Sequence, residues 1–332
     1  MEQKTEYVRG AHASLYYEVW ERGAGRDGRE ERIPLLMLHG NGEDHGIFKE
    51  MAERMSRDFR VILMDSRGHG FSRIYAREEK QGFTTGDMAG DVIEIMDALK
   101  VPRAAILGFS DGANIALETA SRYPGRVLAV AAVSGNALPW GVTPGFFLQV
   151  QSQYPLYWLG EHLARSGERR SKLRRQRQLT GLMAFCPRLT ARRLGKIKCP
   201  VLLLTGRRDM IRPRHSLWMA EKIPGAEIVF VKGADHFTML KRPKAYAGYI
   251  GRWLMRTAEP GSGSGRKVRK HTLGNPVLPE KCRHVRGFRR AAGKALLAAP
   301  GALAHADGSG LPLIALADAD GREALSQTAL II

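Results

Sequence analysis

The chain has 332 residues, of which 44% are hydrophobic, and this is enough to form one large α/β core. Its three cysteines, Cys186, Cys199 and Cys282, are far apart and form no C-x-x-C pair, which argues against a zinc site and suits a reducing compartment. The polar first residues, and the lack of an apolar run of roughly 20 residues, predict a cytoplasmic protein without a membrane span.

Positive charge is concentrated in one part of the chain. The formal net charge is +19, and twelve basic residues lie within 165–198, where Glu168 is the only acidic residue. Such a field attracts anions. We favour a solvated helical face as the explanation; the alternative is a surface for an anionic partner such as nucleic acid, although no nucleic-acid recognition motif accompanies the charge.

The first half of the chain predicts alternating strands and helices. A short antiparallel hairpin is predicted over 5–23, and a charged, glycine-rich loop over 23–32 follows it. The remaining predictions are strands over 33–38, 60–64, 104–107 and 126–133 and helices over 47–55 and 87–99. This alternation predicts a mostly parallel sheet with helices on both faces.

The second half predicts an insertion, the end of the core and a tail. Residues 137–198 have helical periodicity and many aromatic side chains. Strands over 201–204 and 228–231 and helices over 215–223 and 243–255 then complete a domain that spans 1–256. From 257 to 332 the chain is basic and rich in Gly, Ala and Pro, so we predict a largely disordered tail that is dispensable for activity.

A serine between two glycines stands where a predicted strand gives way to a helix. The sequence is Gly108-Phe109-Ser110-Asp111-Gly112, preceded by the apolar run 104–107 and followed by the helical run 113–120. This pattern is typical of a nucleophile elbow, a turn so tight that it exposes the serine hydroxyl above the sheet. Ser110 is therefore the candidate nucleophile.

An acid and a base follow two later strands. Asp209 comes just after the strand predicted over 201–204, and His236 follows the one over 228–231. Because the carboxyl ends of parallel strands share one edge of a sheet, both side chains are expected near Ser110. A base that accepts the hydroxyl proton and an acid that orients it are what a serine nucleophile requires.

Two backbone amides are candidates for binding an oxyanion. The amide of Asp111 directly follows the nucleophile, and the amide of Asn41 lies in His39-Gly40-Asn41-Gly42, after the strand over 33–38. A glycine-rich turn without function is the alternative interpretation of this tetrapeptide.

These motifs together resemble the α/β-hydrolase fold family, in particular single-domain, serine esterase and lipase-like members. The resemblance covers roughly residues 5 to 256 and includes Asp65-Ser66-Arg67-Gly68-His69-Gly70-Phe71-Ser72, a turn in which we expect structural roles for Asp65 and His69. It implies an α/β-hydrolase fold and a helical cap over 137–198 whose apolar face forms an acyl pocket. Ser110 stands where epoxide hydrolases and dehalogenases carry Asp, which disfavours those reactions.

The leading hypothesis is a serine hydrolase that cleaves an ester, thioester or related acyl bond of a small molecule, without metal or organic cofactor. Ser110 is the expected nucleophile, His236 the base and Asp209 its partner. We favour helix capping as the role of the Asp111 side chain; the alternative is that it shapes the pocket. The same residues also suit hydrolysis of a C–C or amide bond. A binding protein on this scaffold, with a basic cap and tail for nucleic acid or another anion, is the non-enzymatic alternative; the tail alone could bind RNA or acidic lipid.

Overall fold

The computed structural model describes residues 2–21, 32–76, 78, 82–258 and 269–273. The loop predicted over 23–32 lies almost entirely outside these residues, as does the tail apart from 257–258 and 269–273. The described residues contain one sheet of ten strands with helices on both of its faces. The predicted α/β-hydrolase fold is confirmed.

The sheet begins with an antiparallel pair and continues as a parallel array. Its strands are β1 (Glu2–Arg9), β2 (Ala13–Glu21), β3 (Ile33–Leu38), β4 (Phe59–Met64), β5 (Arg73–Ile74), β6 (Ala104–Phe109), β7 (Val127–Val133), β8 (Val201–Gly206), β9 (Glu227–Val231) and β10 (Arg269–Leu273). The spatial order is β1-β2-β4-β3-β6-β7-β8-β9-β10, with β5 beside β2. Pairing is parallel from β4 onward, so the carboxyl ends of β3, β6, β7, β8 and β9 meet at one edge.

Helices follow most of the parallel strands. They are α1 (Lys49–Met55), α2 (Thr85–Ala98), α3 (Asp111–Arg122), α4 (Pro144–Leu163), α5 (Gly167–Phe185), α6 (Ala191–Leu194), α7 (Pro213–Lys222), α8 (Thr238–Lys241) and α9 (Pro243–Thr257). The helices α1 and α9 pack on each other and share a core with one face of the sheet. The helices α2 and α3 pack together, and α3 lies against β6 and β7. No described helix has the length and apolar character that crossing a bilayer requires.

The helix α2 shows how local sequence sets an element of this core. Thr84 and Asp87 form a capping box in which the Thr84 hydroxyl accepts from the Asp87 amide and the Asp87 carboxylate accepts from the Thr84 amide. Met88, Val92 and Ile95 recur at helical spacing and are fully buried. The capping box fixes where α2 begins, and the apolar face fixes how α2 packs against the core.

The stretch between β7 and β8, which we call the insertion (137–198), contains α4, α5 and α6. The helices α4 and α5 pack against one another. Buried Glu161 on α4 binds Arg174 and Arg177 on α5, at 2.8 and 2.6 Å. These ion pairs tie the two helices into one unit.

A short strand lies within the predicted tail. β10 runs parallel to β9, with Arg269 opposite Glu227 and Leu273 opposite Val231. Our prediction of a largely disordered tail contained no strand here. The rest of the tail lies outside the described residues.

Candidate active site

Ser110 occupies the turn between β6 and α3 in a strained backbone conformation. Its φ is 52° and its ψ is −119°, in a region that residues other than glycine rarely adopt. The neighbouring elements are too close for side chains: a Cβ on Gly108 would lie 2.2 Å from the Gly112 carbonyl oxygen, and one on Gly112 would lie 1.9 Å from that of Leu38. Glycine at both positions therefore permits the turn that projects Ser110 from the sheet.

The three side chains that the sequence analysis selected are brought together at the carboxyl edge of the sheet. Ser110 follows β6, Asp209 follows β8 and His236 follows β9. His236 Nε2 lies 3.0 Å from the Ser110 hydroxyl oxygen, and His236 Nδ1 lies 2.8 Å from Asp209 Oδ1. This is a continuous hydrogen-bonded path from a carboxylate through an imidazole to a hydroxyl.

Asp209 is held by more than the imidazole. Its Oδ2 accepts from the Ser134 hydroxyl at 2.6 Å, and its Oδ1 accepts from the Ile211 amide at 3.0 Å. Burial acts to raise the pKa of Asp209, but the hydrogen bond and charge of His236 and the bond from Ser134 outweigh it, so the pKa lies below its ordinary value. The carboxylate is therefore ionised and fixed in direction.

Ser134 is a site residue that sequence reasoning did not select. It follows β7, which lies between β6 and β8 in the sheet, and it has a φ of 55°. Its only sequence signal is its position directly after an apolar strand, at the edge where the other site residues also lie.

The loop after β3 approaches the nucleophile closely. A Cβ on Gly40 would lie 3.1 Å from Ser110 Cβ and 2.7 Å from Glu43 Oε2, and the Gly40 amide donates to that same oxygen at 2.9 Å. Burial raises the pKa of Glu43 to about 7, against the opposing effects of this hydrogen bond and of the charge of His236. Asn41, which follows Gly40 in the chain, lines the cavity beside Ser110.

The Asp111 side chain has partners other than those we expected. Its carboxylate accepts from Asn41 Nδ2 and from Asn114 Nδ2, each at 2.9 Å, so it does not cap the α3 amides as predicted. Asn41 Nδ2 also donates to the Leu179 carbonyl on α5, at 3.0 Å. Burial raises the pKa of Asp111, although both amide donors act to lower it. The two residues chosen as oxyanion donors are thus joined by their side chains.

The charged and polar groups behind the site hold its loops, in agreement with the roles we expected for Asp65 and His69. Asp65 accepts from the amides of His45 and Phe71, each at 2.7 Å. His69 Nδ1 lies 3.0 Å from the Arg67 carbonyl oxygen, and burial lowers the pKa of His69 to about 3, so its ring is neutral. The Ser66 amide donates to His39 Nε2, which joins the loops after β3 and β4.

A cavity opens above Ser110, between the sheet edge and the insertion. Its volume is about 40 Å³, within a cleft of about 450 Å³ that includes open solvent. Phe146, Phe147 and Val150 on α4, and Met183 on α5, give its wall an apolar character. Other aromatic residues of the insertion lie away from the cavity. Tyr154 packs edge to face on Phe185, and Trp140 and Trp158 are about half exposed.

Within the described part of the chain, no group of three or more His, Cys, Asp or Glu side chains could hold a metal ion. Cys186 and Cys199 are buried free thiols, and burial raises the pKa of Cys199 to about 12. Cys199 therefore has the inert character of a packing residue.

Comparison with known proteins gives a consistent result. A family model described as alpha/beta hydrolase fold matches residues 33–183. One relative, from Azorhizobium caulinodans, is named as the carbamate hydrolase RutD, and its name marks that activity as unproven. It is 28% identical over 69% of this chain and 91% of its own length. The pimeloyl-[acyl-carrier protein] methyl ester esterase of Nitrosospira multiformis is 27% identical over 72% of this chain and 98% of its own.

Solved structures agree on the fold. The alpha/beta hydrolase enzyme MGS-M2, from a Medee basin deep-sea metagenome library, superposes with a TM-score of 0.63 at 18% identity. The match covers 76% of this chain and 98% of that one. The chain has the α/β-hydrolase fold, and its match to the family model over 33–183 and to relatives named as hydrolases supports hydrolysis as its class of activity.

Proposed function

We propose that this protein is a serine hydrolase that cleaves an ester, thioester or related acyl bond of a small molecule. The observation that carries the proposal is the path from Asp209 through His236 to Ser110, with distances of 2.8 and 3.0 Å. The path ends at a hydroxyl that faces an apolar cavity. An apolar wall beside a polar reacting group suits an acyl chain attached to a carbonyl.

The first half-reaction forms an acyl-enzyme. Ser110 Oγ attacks the acyl carbon while His236 Nε2 takes the hydroxyl proton, and Asp209 steadies the resulting imidazolium. The carbonyl oxygen becomes an oxyanion held by the backbone amides of Asn41 and Asp111. The tetrahedral intermediate collapses when His236 returns the proton to the leaving alcohol or thiol.

The second half-reaction frees the enzyme. His236 takes a proton from water, and the hydroxide formed attacks the acyl group on Ser110. A second oxyanion collapses, the acid leaves, and the proton on His236 returns to Ser110. Apart from water and the substrate, every group in both half-reactions belongs to a described residue of this chain.

The name of the Nitrosospira multiformis relative supports an ester as the bond that is cleaved. The name of the Azorhizobium caulinodans relative favours a carbamate as the second candidate bond. Both bonds are broken at a carbonyl carbon, so the same residues serve either. A panel of p-nitrophenyl esters of increasing acyl length, run beside carbamate and amide analogues, distinguishes these substrates.

The test of the proposal is Ser110→Ala. Because the three side chains act as a unit, hydrolysis of p-nitrophenyl acetate should fall by about 10³-fold or more. Labelling by a fluorophosphonate probe should be lost with it. Ser152→Ala, which removes the hydroxyl of an α4 serine bonded to the Gln149 carbonyl, is the matched control and should keep both.

Unchanged turnover in Ser110→Ala would contradict the proposal. A wild-type protein that neither reacts with the probe nor hydrolyses any substrate of the panel would favour the alternative of a binding protein on this scaffold.

A further inference from the structure

The helix α4 is apolar on two opposite sides. Phe146, Phe147 and Val150 line the cavity. Leu148, Leu156, Leu159 and Leu163 point to solvent instead and are 70%, 66%, 48% and 70% exposed. At 100° per residue, these four leucines fall within an arc of about 80°, opposite the cavity side. They form a leucine stripe along the outside of the insertion, in which the exposed Ser152 stands between Leu148 and Leu156.

A stripe of this kind differs from ordinary surface. Single exposed apolar side chains are common, but the solvent-facing side of a helix is normally polar, and here four leucines occupy one such side. Contiguous exposed apolar surface marks a site of interaction. The cavity side of α4 is covered by the fold of this chain, and the leucine stripe is not.

Basic side chains lie directly beside the end of the stripe. Arg165, Arg169, Arg170 and Lys172 follow Leu163 along the chain and are exposed. Glu168 is the only acidic residue from 164 to 198 and pairs with Lys172 at 2.8 Å. The inward-facing Arg174 and Arg177 share Glu161 as their ion-pair partner. The charge left facing outward is therefore strongly positive.

We propose that the insertion face, made of Leu148, Leu156, Leu159 and Leu163 with Arg165, Arg169, Arg170 and Lys172, docks on an anionic lipid surface. Leucine side chains on one helix face enter the boundary between headgroups and acyl chains, and Lys and Arg meet the lipid phosphates. The leucine stripe and its cationic border therefore match a lipid surface, which has anionic headgroups over an apolar acyl layer.

A second copy of the chain fits this face less well. A homodimer through two identical faces would leave both cationic borders without an anionic partner, because Glu168 is the only acidic residue from 164 to 198. An anionic lipid surface neutralises the same border. Charge complementarity thus selects the lipid surface, and a homodimer becomes an outcome of the test.

The experiment measures partition of the full-length protein onto vesicles. The protein should bind vesicles of equal parts phosphatidylcholine and phosphatidylglycerol, and should bind phosphatidylcholine alone more weakly. Leu156→Ser with Leu159→Ser should lower the partition coefficient for the mixture by about tenfold or more. Arg165→Gln with Arg169→Gln should lower it about fivefold for each charge removed.

A matched charge control is Arg57→Gln with Lys222→Gln. These exposed residues precede β4 and β9, at the opposite end of the sheet, and their loss should change partition little. Binding should also persist in Ser110→Ala, so this inference stands or falls apart from the proposed reaction. The circular dichroism spectrum verifies that each variant is folded, and hydrolysis of a water-soluble ester verifies it for every variant that keeps Ser110.

Three results would overturn the inference. The first is no binding to the anionic mixture. The second is equal binding by the wild type and both insertion-face variants, which would assign binding to the tail or another surface. The third is a wild-type dimer in size-exclusion chromatography that the leucine variant dissociates, with vesicle binding unchanged.

Discussion

Asn41 connects three parts of the site through one side-chain amide. Its Nδ2 donates to Asp111 Oδ2 at 2.9 Å and to the Leu179 carbonyl at 3.0 Å. Asn41 and Asp111 are also the residues whose backbone amides we propose as oxyanion donors. The side-chain bond therefore fixes the separation of the two donors, and the bond to Leu179 ties them to α5.

Asn41→Ala tests this positioning role. The backbone amide remains, but its direction is no longer fixed, so we expect kcat for p-nitrophenyl acetate to fall about tenfold or more with KM nearly unchanged. Steady-state kinetics over a range of substrate concentrations measures the two constants separately. Gln149→Ala, on α4 and outside the cavity lining, is the control and should leave both constants in place. A rise in KM at constant kcat would instead assign Asn41 to substrate binding.

The close approach of β3, β6 and α3 is the element-scale feature on which the site depends. Gly112 is the second residue of α3, and a Cβ there would lie 1.9 Å from the Leu38 carbonyl oxygen and 2.6 Å from that of His39. Both obstacles are backbone atoms, one at the buried end of β3 and the other in the residue after it. Neither can move without shifting the loop that carries Asn41.

Gly112→Ala should accordingly lower the free energy of unfolding by about 3 kcal/mol or more, through overpacking of the core. Gly90→Ala is the matched control, because a Cβ at that position in α2 meets no atom within 4 Å. It should raise the free energy of unfolding by about 0.5–1 kcal/mol, since alanine favours helix more than glycine does. Urea unfolding of both variants measures the contrast, and a near-neutral Gly112→Ala would mean that the elements can separate freely.

The sequence predicted best the strands and helices that bury one face or both faces. The runs over 33–38, 60–64 and 201–204 became β3, β4 and β8 with few changes at their ends. Because their carboxyl ends share an edge, the positions of Ser110, Asp209 and His236 followed from the order of strands and the residues just after them. The pattern of the core therefore carried most of the information about the candidate site.

Other features depend on contacts that no local pattern encodes. The bounds of α4 and α5 could not be set because α4 is apolar on two sides and α5 changes from strongly charged over 168–177 to uncharged over 178–185, so neither has one apolar face along its whole length. Ser134 contacts Asp209 only because β7 and β8 are neighbours. The expected cap at Asp111 was wrong because Asn41, 70 residues away, supplies a donor.

At the scale of the whole molecule, the candidate site and the last described strand are separate. The side chains that surround Ser110 come from residues 41–236, within the parallel part of the sheet and the insertion. β10 lies beyond them, where its backbone pairs with the outer edge of β9. β10 therefore bears on the sheet's edge and not on the site.

Two truncations separate these contributions. A chain ending at Leu273 keeps β10, and one ending at Ala258 removes it; both keep every residue around Ser110, so kcat for p-nitrophenyl acetate should stay within about twofold of the full-length value. The shorter chain leaves the amides and carbonyls of β9 unpaired along one edge, and such an edge recruits strands from other molecules. It should scatter more light than the longer one at equal concentration and temperature. A large loss of turnover in the chain ending at Leu273 would contradict the prediction, because it would give residues 274–332 a part in forming the site.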